Sequence, residues 1–289
     1  MLTGTVIGLA GFFLAESPRT RGMGSVMFLL VPFCAGFAIA QVTRGRAIVS
    51  AAALLTALFC LATLVAFRLE GLLCAIMALP LLLGGLAVGA LLGVLFREHV
   101  LQRLLHRGAG TTVVFALMPL LIVAGNRAEE PALKRVRQEV VVNSILLQAS
   151  PEEVWTQIQS IDSIDVAKPW LMHIGLPVPV RCTMERTGVG AKRICYFENG
   201  SIEETVTRWD PPHSMQLIID RTNMPGRHWL GFEHAMYELQ IEGSATRLTR
   251  TTTITSHLYP VWYWRDLERW GVASEHQYIL QAAASHLHR

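Results

Sequence analysis

Apolar residues follow two regimes along this chain, and the change falls within residues 137–158, RQEVVVNSILLQASPEEVWTQI. Upstream they run together in long blocks almost free of charge; downstream they recur at strand or helix spacing among polar side chains. Within the boundary stretch, Val140, Val141 and Val142, then Ile145, Leu146 and Leu147, are too few to cross a bilayer and β-branched enough for a strand. Ser150, Pro151 and Glu153 then supply an N-cap hydroxyl, a proline at the first helical position, where its missing N–H costs nothing, and a capping-box carboxylate. A helix is predicted from Pro151, with Val154, Trp155 and Ile158 on the face it shares with the strand.

Upstream, the apolar runs cover residues 2–15, 23–42, 47–67, 71–96 and 108–125, separated by short Arg-bearing breaks. The three middle runs approach or exceed the roughly 20 residues that cross a bilayer core. The run at 108–125 is shorter but adequate and 2–15 is marginal, so four or five spans are expected. The first run lacks the basic start and cleavage site of a signal peptide. Gly84, Gly85, Gly89 and Gly93 favour close helix packing. Glu16, Glu70 and Glu98 sit at the edges of runs beside arginines, which is the pattern of an anchoring bundle and not of a proton relay. The break REHVLQRLLHR, with His99 and His106, reads as a short surface helix. With five spans, Arg19, Arg21, Arg68 and the cluster Arg127, Lys134, Arg135 and Arg137 share the side of the C-terminal domain, and Arg44, Arg46, Arg97, Arg103 and Arg107 lie opposite. The full count and the short loops alone point in opposite directions, so the side is undecided.

Downstream, a short helix and loop are expected at 162–175. Strands follow at 178–186, 191–198, 201–209, 214–221, 234–241 and 247–256, broken by turn residues such as Asn199-Gly200, Asp210-Pro211-Pro212 and Pro225-Gly226. Residues 262–288 then read as one long helix. An antiparallel meander of this length cannot bury a concave face alone, and the closing helix is the only element large enough to cover it. A cavity between the two is expected.

Composition sharpens the division. Residues 1–126 carry eight Lys and Arg against three Asp and Glu, and residues 127–289 carry seventeen against nineteen. No basic stripe with interleaved aromatics is present, so a nucleic-acid partner is set aside. The five cysteines, Cys34, Cys60, Cys74, Cys182 and Cys195, form no CxxC pair. Free, buried thiols are expected, with neither a disulfide framework nor a zinc site, and no metal or cofactor is suggested.

The opening VVVNSILLQASPEEVW, the middle GVGAKRICYFENGSIEETVTRWDPP and the ending RTTTITSHLYPVWYWRDLERW, in this order of elements, resemble the START-like or SRPBCC superfamily of polyketide cyclase/dehydrase-like and lipid-transfer proteins. The resemblance covers about residues 137–289, and the chain is also similar to a bacterial subgroup that joins such a domain to several membrane helices. It implies an α-helical transmembrane bundle followed by an α+β helix-grip domain: a transmembrane region at 1–126, a linker at 127–136 and a START-like domain at 137–289. It further implies a deep apolar cavity for a lipid, polyketide or other hydrophobic molecule, on a scaffold that catalytic and non-catalytic proteins share.

Strand alternation proposes what lines that cavity. Glu204 shares parity with Ile202 and Val206, and Arg250 with Leu248, Thr252 and Ile254. Cys195 and Phe197 form one inward set with Arg193 in phase, and Tyr237 falls with Ala235, Leu239 and Ile241. Trp170 is placed at the rim. Glu204 and Arg250 are expected to pair if both are buried, because a lone buried charge is costly; the same two residues are the candidates for orienting a polar ligand end or for acid–base work. Cys195 is expected to pack as a small hydrophobe. His234, His286 and His288 read as solvated, and Trp262, Trp264, Trp270, Tyr259 and Tyr263 mostly as packing residues. The leading function is a membrane-anchored module that binds or senses a hydrophobic ligand, in the cell membrane of a bacterium. The alternative is a cyclase, aromatase or dehydratase acting in the same cavity, and a third reading is a regulatory factor whose ligand biases the bundle.

Overall fold

The structure, a computed structural model, describes residues 2–15, 23–67, 71–98, 109–224 and 230–287. The breaks carrying Glu16, Arg19, Arg21, Arg68, Glu70, Arg103 and Arg107, almost all of the expected surface helix with His99 and His106, the turn at Pro225-Gly226, and His288 lie outside the described residues. The chain divides into two units: Met1–Val136 with His257–Trp262, and Arg137–Ser256 with Tyr263–Arg289.

The first unit is helical: α1 (Leu2–Ala15), α2 (Val31–Val42), α3 (Arg46–Ala66), α4 (Leu72–Phe96) and α5 (Ala109–Leu133). Five π-helical residues, Val26–Leu30, lead into α2. Pro32 sits in the first turn of α2 and has no N–H to donate back along the chain, which favours the altered ladder there. Two of the described helices, α3 and α4, are long and apolar enough to cross a membrane. α2 and α4 pack backbone to backbone: a Cβ on Gly89 would stand 2.0 Å from the Phe33 carbonyl oxygen, so only glycine permits the approach. Gly85 and Gly93 are also crowded by α2, but Gly84, expected to act with them, meets nothing within 4 Å. Arg97 donates from Nη1 to the carbonyls of Ala40 (2.5 Å) and Thr43, satisfying the last turn of α2. Helix α5 continues through most of the stretch expected as a linker, leaving Lys134 to Val136 before the next strand.

The second unit runs β1 (Arg137–Leu147), α6 (Pro151–Gln159), α7 (Trp170–His173), β2 (Pro179–Met184), β3 (Lys192–Phe197), β4 (Gly200–Asp210), β5 (Ser214–Asn223), β6 (Leu230–Glu242), β7 (Ala245–Ser256) and α8 (Val261–Leu287). The strands form one seven-stranded sheet in the order β1-β7-β6-β5-β4-β3-β2, with every pairing antiparallel. This is the helix-grip arrangement, a meander whose first strand closes onto the last and whose inner face is covered by the C-terminal helix. The capping box at α6 forms as expected: Glu153 N–H donates to Ser150 Oγ at 3.3 Å, and Ser150 N–H donates to Glu153 Oε2 at 2.8 Å. Gly200 does not occupy the turn position predicted for it. It pairs with Phe197, and a Cβ there would lie 2.0 Å from the Asn223 carbonyl oxygen, so the glycine serves close backbone approach.

Between sheet and α8 the interior is layered. At one end Leu147, Trp155, Val206, Leu217, Leu239 and Leu248 pack against Leu280 and Ala283 of α8. Further along β7, Val141 and Ile254 pack against Val272. The residues between these two layers on the same helix face are Glu275 and His276, which are polar.

Candidate functional site

The polar layer is assembled by register. Arg193 and Glu204 stand directly opposite on β3 and β4. Arg250 of β7 is flanked by Tyr237 of β6 and Asn143 of β1. Alternation turns these side chains inward, and α8 brings Glu275 and His276 down onto them.

Arg193 donates from Nη1 to Glu204 Oε2 at 2.8 Å, and the two residues are only 2% and 4% exposed. Arg250 Nη2 lies 3.1 Å from Glu275 Oε1. The two guanidinium carbons lie 5.7 Å (Arg193) and 5.5 Å (Arg250) from the Tyr237 ring centroid, so one phenol ring serves both cations. Three of their nitrogens, Arg193 Nε, Arg250 Nε and Arg250 Nη1, are buried without a hydrogen-bond acceptor. Burial raises the Glu275 carboxyl above its ordinary value, with Arg250 opposing the shift.

His276 is fully buried and held from both sides. Asn143 Oδ1 can only accept, so Nδ1, 3.0 Å away, carries the proton; Nε2 then accepts from the Thr252 hydroxyl at 2.7 Å. Burial, reinforced by the Arg250 charge, pushes the imidazole down to about 2, so it is neutral at physiological pH.

Several expectations change here. Glu204 and Arg250 both face inward, but they do not pair with each other: the partner of Glu204 is Arg193 and that of Arg250 is Glu275. Cys195 is not a free thiol. It is joined to Cys182, its direct neighbour across β2 and β3, which corrects the expectation of free cysteines; Cys34, Cys60 and Cys74 form no disulfide. With no proton on sulfur, the 3.8 Å approach of Cys195 Sγ to Glu204 is a packing contact. Phe197 is partly buried against the disulfide together with Ile161 and Ile279. Trp170 is 57% exposed, its ring centroid 5.6 Å from that of Trp270, and it contributes no wall to the polar layer. Ile241, in phase with Tyr237, is exposed because β6 runs past the end of the core. Glu275, His276 and Asn143 were not anticipated; the available signal was a polar pair at 275–276 in phase with Val272, Ile279 and Ala283. Among the described residues no group of His, Cys, Asp and Glu side chains is arranged to hold a metal.

No protein-family model matches the chain, and no curated protein matches it. Among solved structures it is similar to a protein from Arthrobacter aurescens, at 16% identity over 52% of this chain and 91% of that one, with a TM-score of 0.36. It is also similar to the Aha1 dimer from Colwellia psychrerythraea (15% identity, 50% and 96%, TM-score 0.33) and to Ara h 8.0201 (9% identity, 52% and 97%, TM-score 0.36).

Proposed function

We propose that this chain is a membrane-anchored binding protein whose C-terminal helix-grip domain, of START-like or SRPBCC type, takes a hydrophobic molecule such as a lipid or polyketide by its polar end. The observation that carries the reading is the layer of charge set into an apolar interior with three guanidinium nitrogens left unpaired. A buried donor without an acceptor costs about 1–3 kcal/mol, more when charged. An amphiphile with an anionic head answers that cost, its head at Arg250 and Tyr237 and its tail among the apolar layers, with Phe197 and the Cys195 disulfide at one side. Glu204 acts on the ligand through Arg193, and Trp170 stands at the entrance.

The anchor rests on what α3 and α4 expose. Only 33% and 39% of their most apolar windows is buried, where the core helix of a water-soluble protein would be mostly covered. Leu54, Leu55, Leu58 and Phe59 of α3 and Val88, Leu91, Leu92 and Leu95 of α4 lie on the surface, and Leu117, Leu120 and Leu121 of α5 do the same. Apolar surface on this scale calls for lipid around it. With the neighbouring helices this makes a multi-pass protein of a bacterial inner membrane. The enzymatic alternative has less support, because the Glu204 carboxylate is already engaged by Arg193 and both are sealed from solvent.

The test is to purify the full chain in a mild detergent and titrate it with a fluorescent long-chain carboxylic acid, alongside native mass spectrometry. Saturable binding, weakened tenfold or more in Arg250→Met, is expected. No binding and no co-purified amphiphile would end the reading.

A further inference from the structure

The direction in which the C-terminal domain faces was undecided by charge alone, and the structure supplies an independent marker. Cys182 and Cys195 are bonded across adjacent strands, at a sequence separation of 13, and both are buried. Disulfides form and persist in oxidising compartments, whereas thiol reductants in the cytoplasm keep such pairs open. The remaining cysteines, Cys34, Cys60 and Cys74, all belong to the apolar helices α2, α3 and α4 and form no disulfide, so the oxidised pair is confined to the domain that follows the spans.

The short loops between the helices point the same way, whereas Arg127, Lys134, Arg135 and Arg137 after the last span count in the other direction, so the disulfide carries the assignment. Whether or not α1 spans, the α2–α3 and α4–α5 connections lie on the side opposite the C-terminal domain, and they carry Arg44, Arg46, Arg97, Arg103 and Arg107. The α3–α4 connection, on the domain's own side, carries Arg68, joined by Arg19 and Arg21 if α1 spans. Arginine accumulates on the cytoplasmic side, so the short loops favour those five inside.

Taking the membrane anchor above as given, we infer that the helix-grip domain faces the oxidising, extracytoplasmic side of the membrane, with the Cys182–Cys195 bond formed there. The hydrophobic ligand is then met outside the cytoplasm. Cytoplasmic thiol reductants do not reach the bond, so it is a permanent part of the β2–β3 edge and not a switch.

The experiment uses the full chain in a Gram-negative host. Cells are quenched in acid, the protein is denatured and labelled with a maleimide-polyethylene glycol, and a parallel C-terminal fusion carries either alkaline phosphatase or a green fluorescent protein. Three thiols are expected to react before reduction and all five after it, as three cysteines outside the disulfide and two within it require. The phosphatase fusion should be active and the fluorescent fusion dark. Five reactive thiols before reduction, or a bright fluorescent fusion on a chain that resists alkaline extraction, would overturn the inference while leaving the anchor intact. Release of the chain by alkali would remove the anchor and the inference together.

Discussion

His276 Nε2 and Thr252 Oγ1 lie 2.7 Å apart in the polar layer between the apolar ends of the helix–sheet interface. The hydroxyl needs an unprotonated imidazole nitrogen, and burial together with the Arg250 charge opposes a second proton. The folded value of about 2 lies below the ordinary 6.5, so below about pH 6.5 the unfolded chain binds a proton that the folded one does not. This contribution is complete above pH 6.5 and is lost as pH falls, at about 1.4 kcal/mol per pH unit. Glu275, raised by burial, works in the other sense, favouring the fold at low pH and weakening it as pH rises through the carboxylate range. The two are separated by comparing wild type with His276→Gln. The melting-temperature advantage of wild type should shrink between pH 7.5 and pH 5, and an advantage independent of pH would contradict the assignment.

The Arg193–Glu204 pair is buried on both sides. Removing one partner leaves an uncompensated charge, so Arg193→Met or Glu204→Leu alone should cost about 3–5 kcal/mol, whereas the double variant should recover most of the loss. Denaturant unfolding of the four proteins gives the coupling. Glu204→Gln combined with Arg250→Met should be closer to additive, because Arg250 is bound to Glu275.

In the helical unit, Gly89→Leu should prevent α2 and α4 from closing, since even a Cβ meets the Phe33 carbonyl oxygen. Gly84→Leu, with open space around it, is the matched control. Thermal aggregation followed by size-exclusion chromatography in detergent should shift sharply for the first and little for the second; equal behaviour would remove the close packing.

At α6, Ser150→Ala removes one half of the capping box and should lower stability by about 1 kcal/mol, with Ser150→Asp restoring most of it.

Much of this organisation was legible because its signals are local. The capping box at Ser150, the β-branched run of β1 and the alternation that turns Glu204, Tyr237 and Arg250 inward are all encoded within a few residues. What escaped depends on register and on distant partners. Glu204 finds Arg193 because β3 and β4 align those positions, and Cys182 meets Cys195 only in the register that β2 adopts after its irregularity between Pro179 and Arg181. Glu275 and His276 were hard to read because α8 carries polar residues on every side, so their phase with Val272, Ile279 and Ala283 was the only local signal that set them apart from a solvated pair. Residues 127–136 were expected as a linker between the two regions, and the helix α5 runs into that stretch as far as Leu133.

The most direct measurement of ligand capture is photo-crosslinking of the full-length protein with a diazirine-bearing fatty acid, followed by peptide mapping. Adducts should concentrate on the inward faces of β4, β6 and β7 and on α8 near Glu275 and Ile279, and should fall away in Arg250→Met. Adducts confined to α3 and α4, and unchanged by that substitution, would mean that the acid dissolves around the membrane helices and that the helix-grip interior takes no ligand.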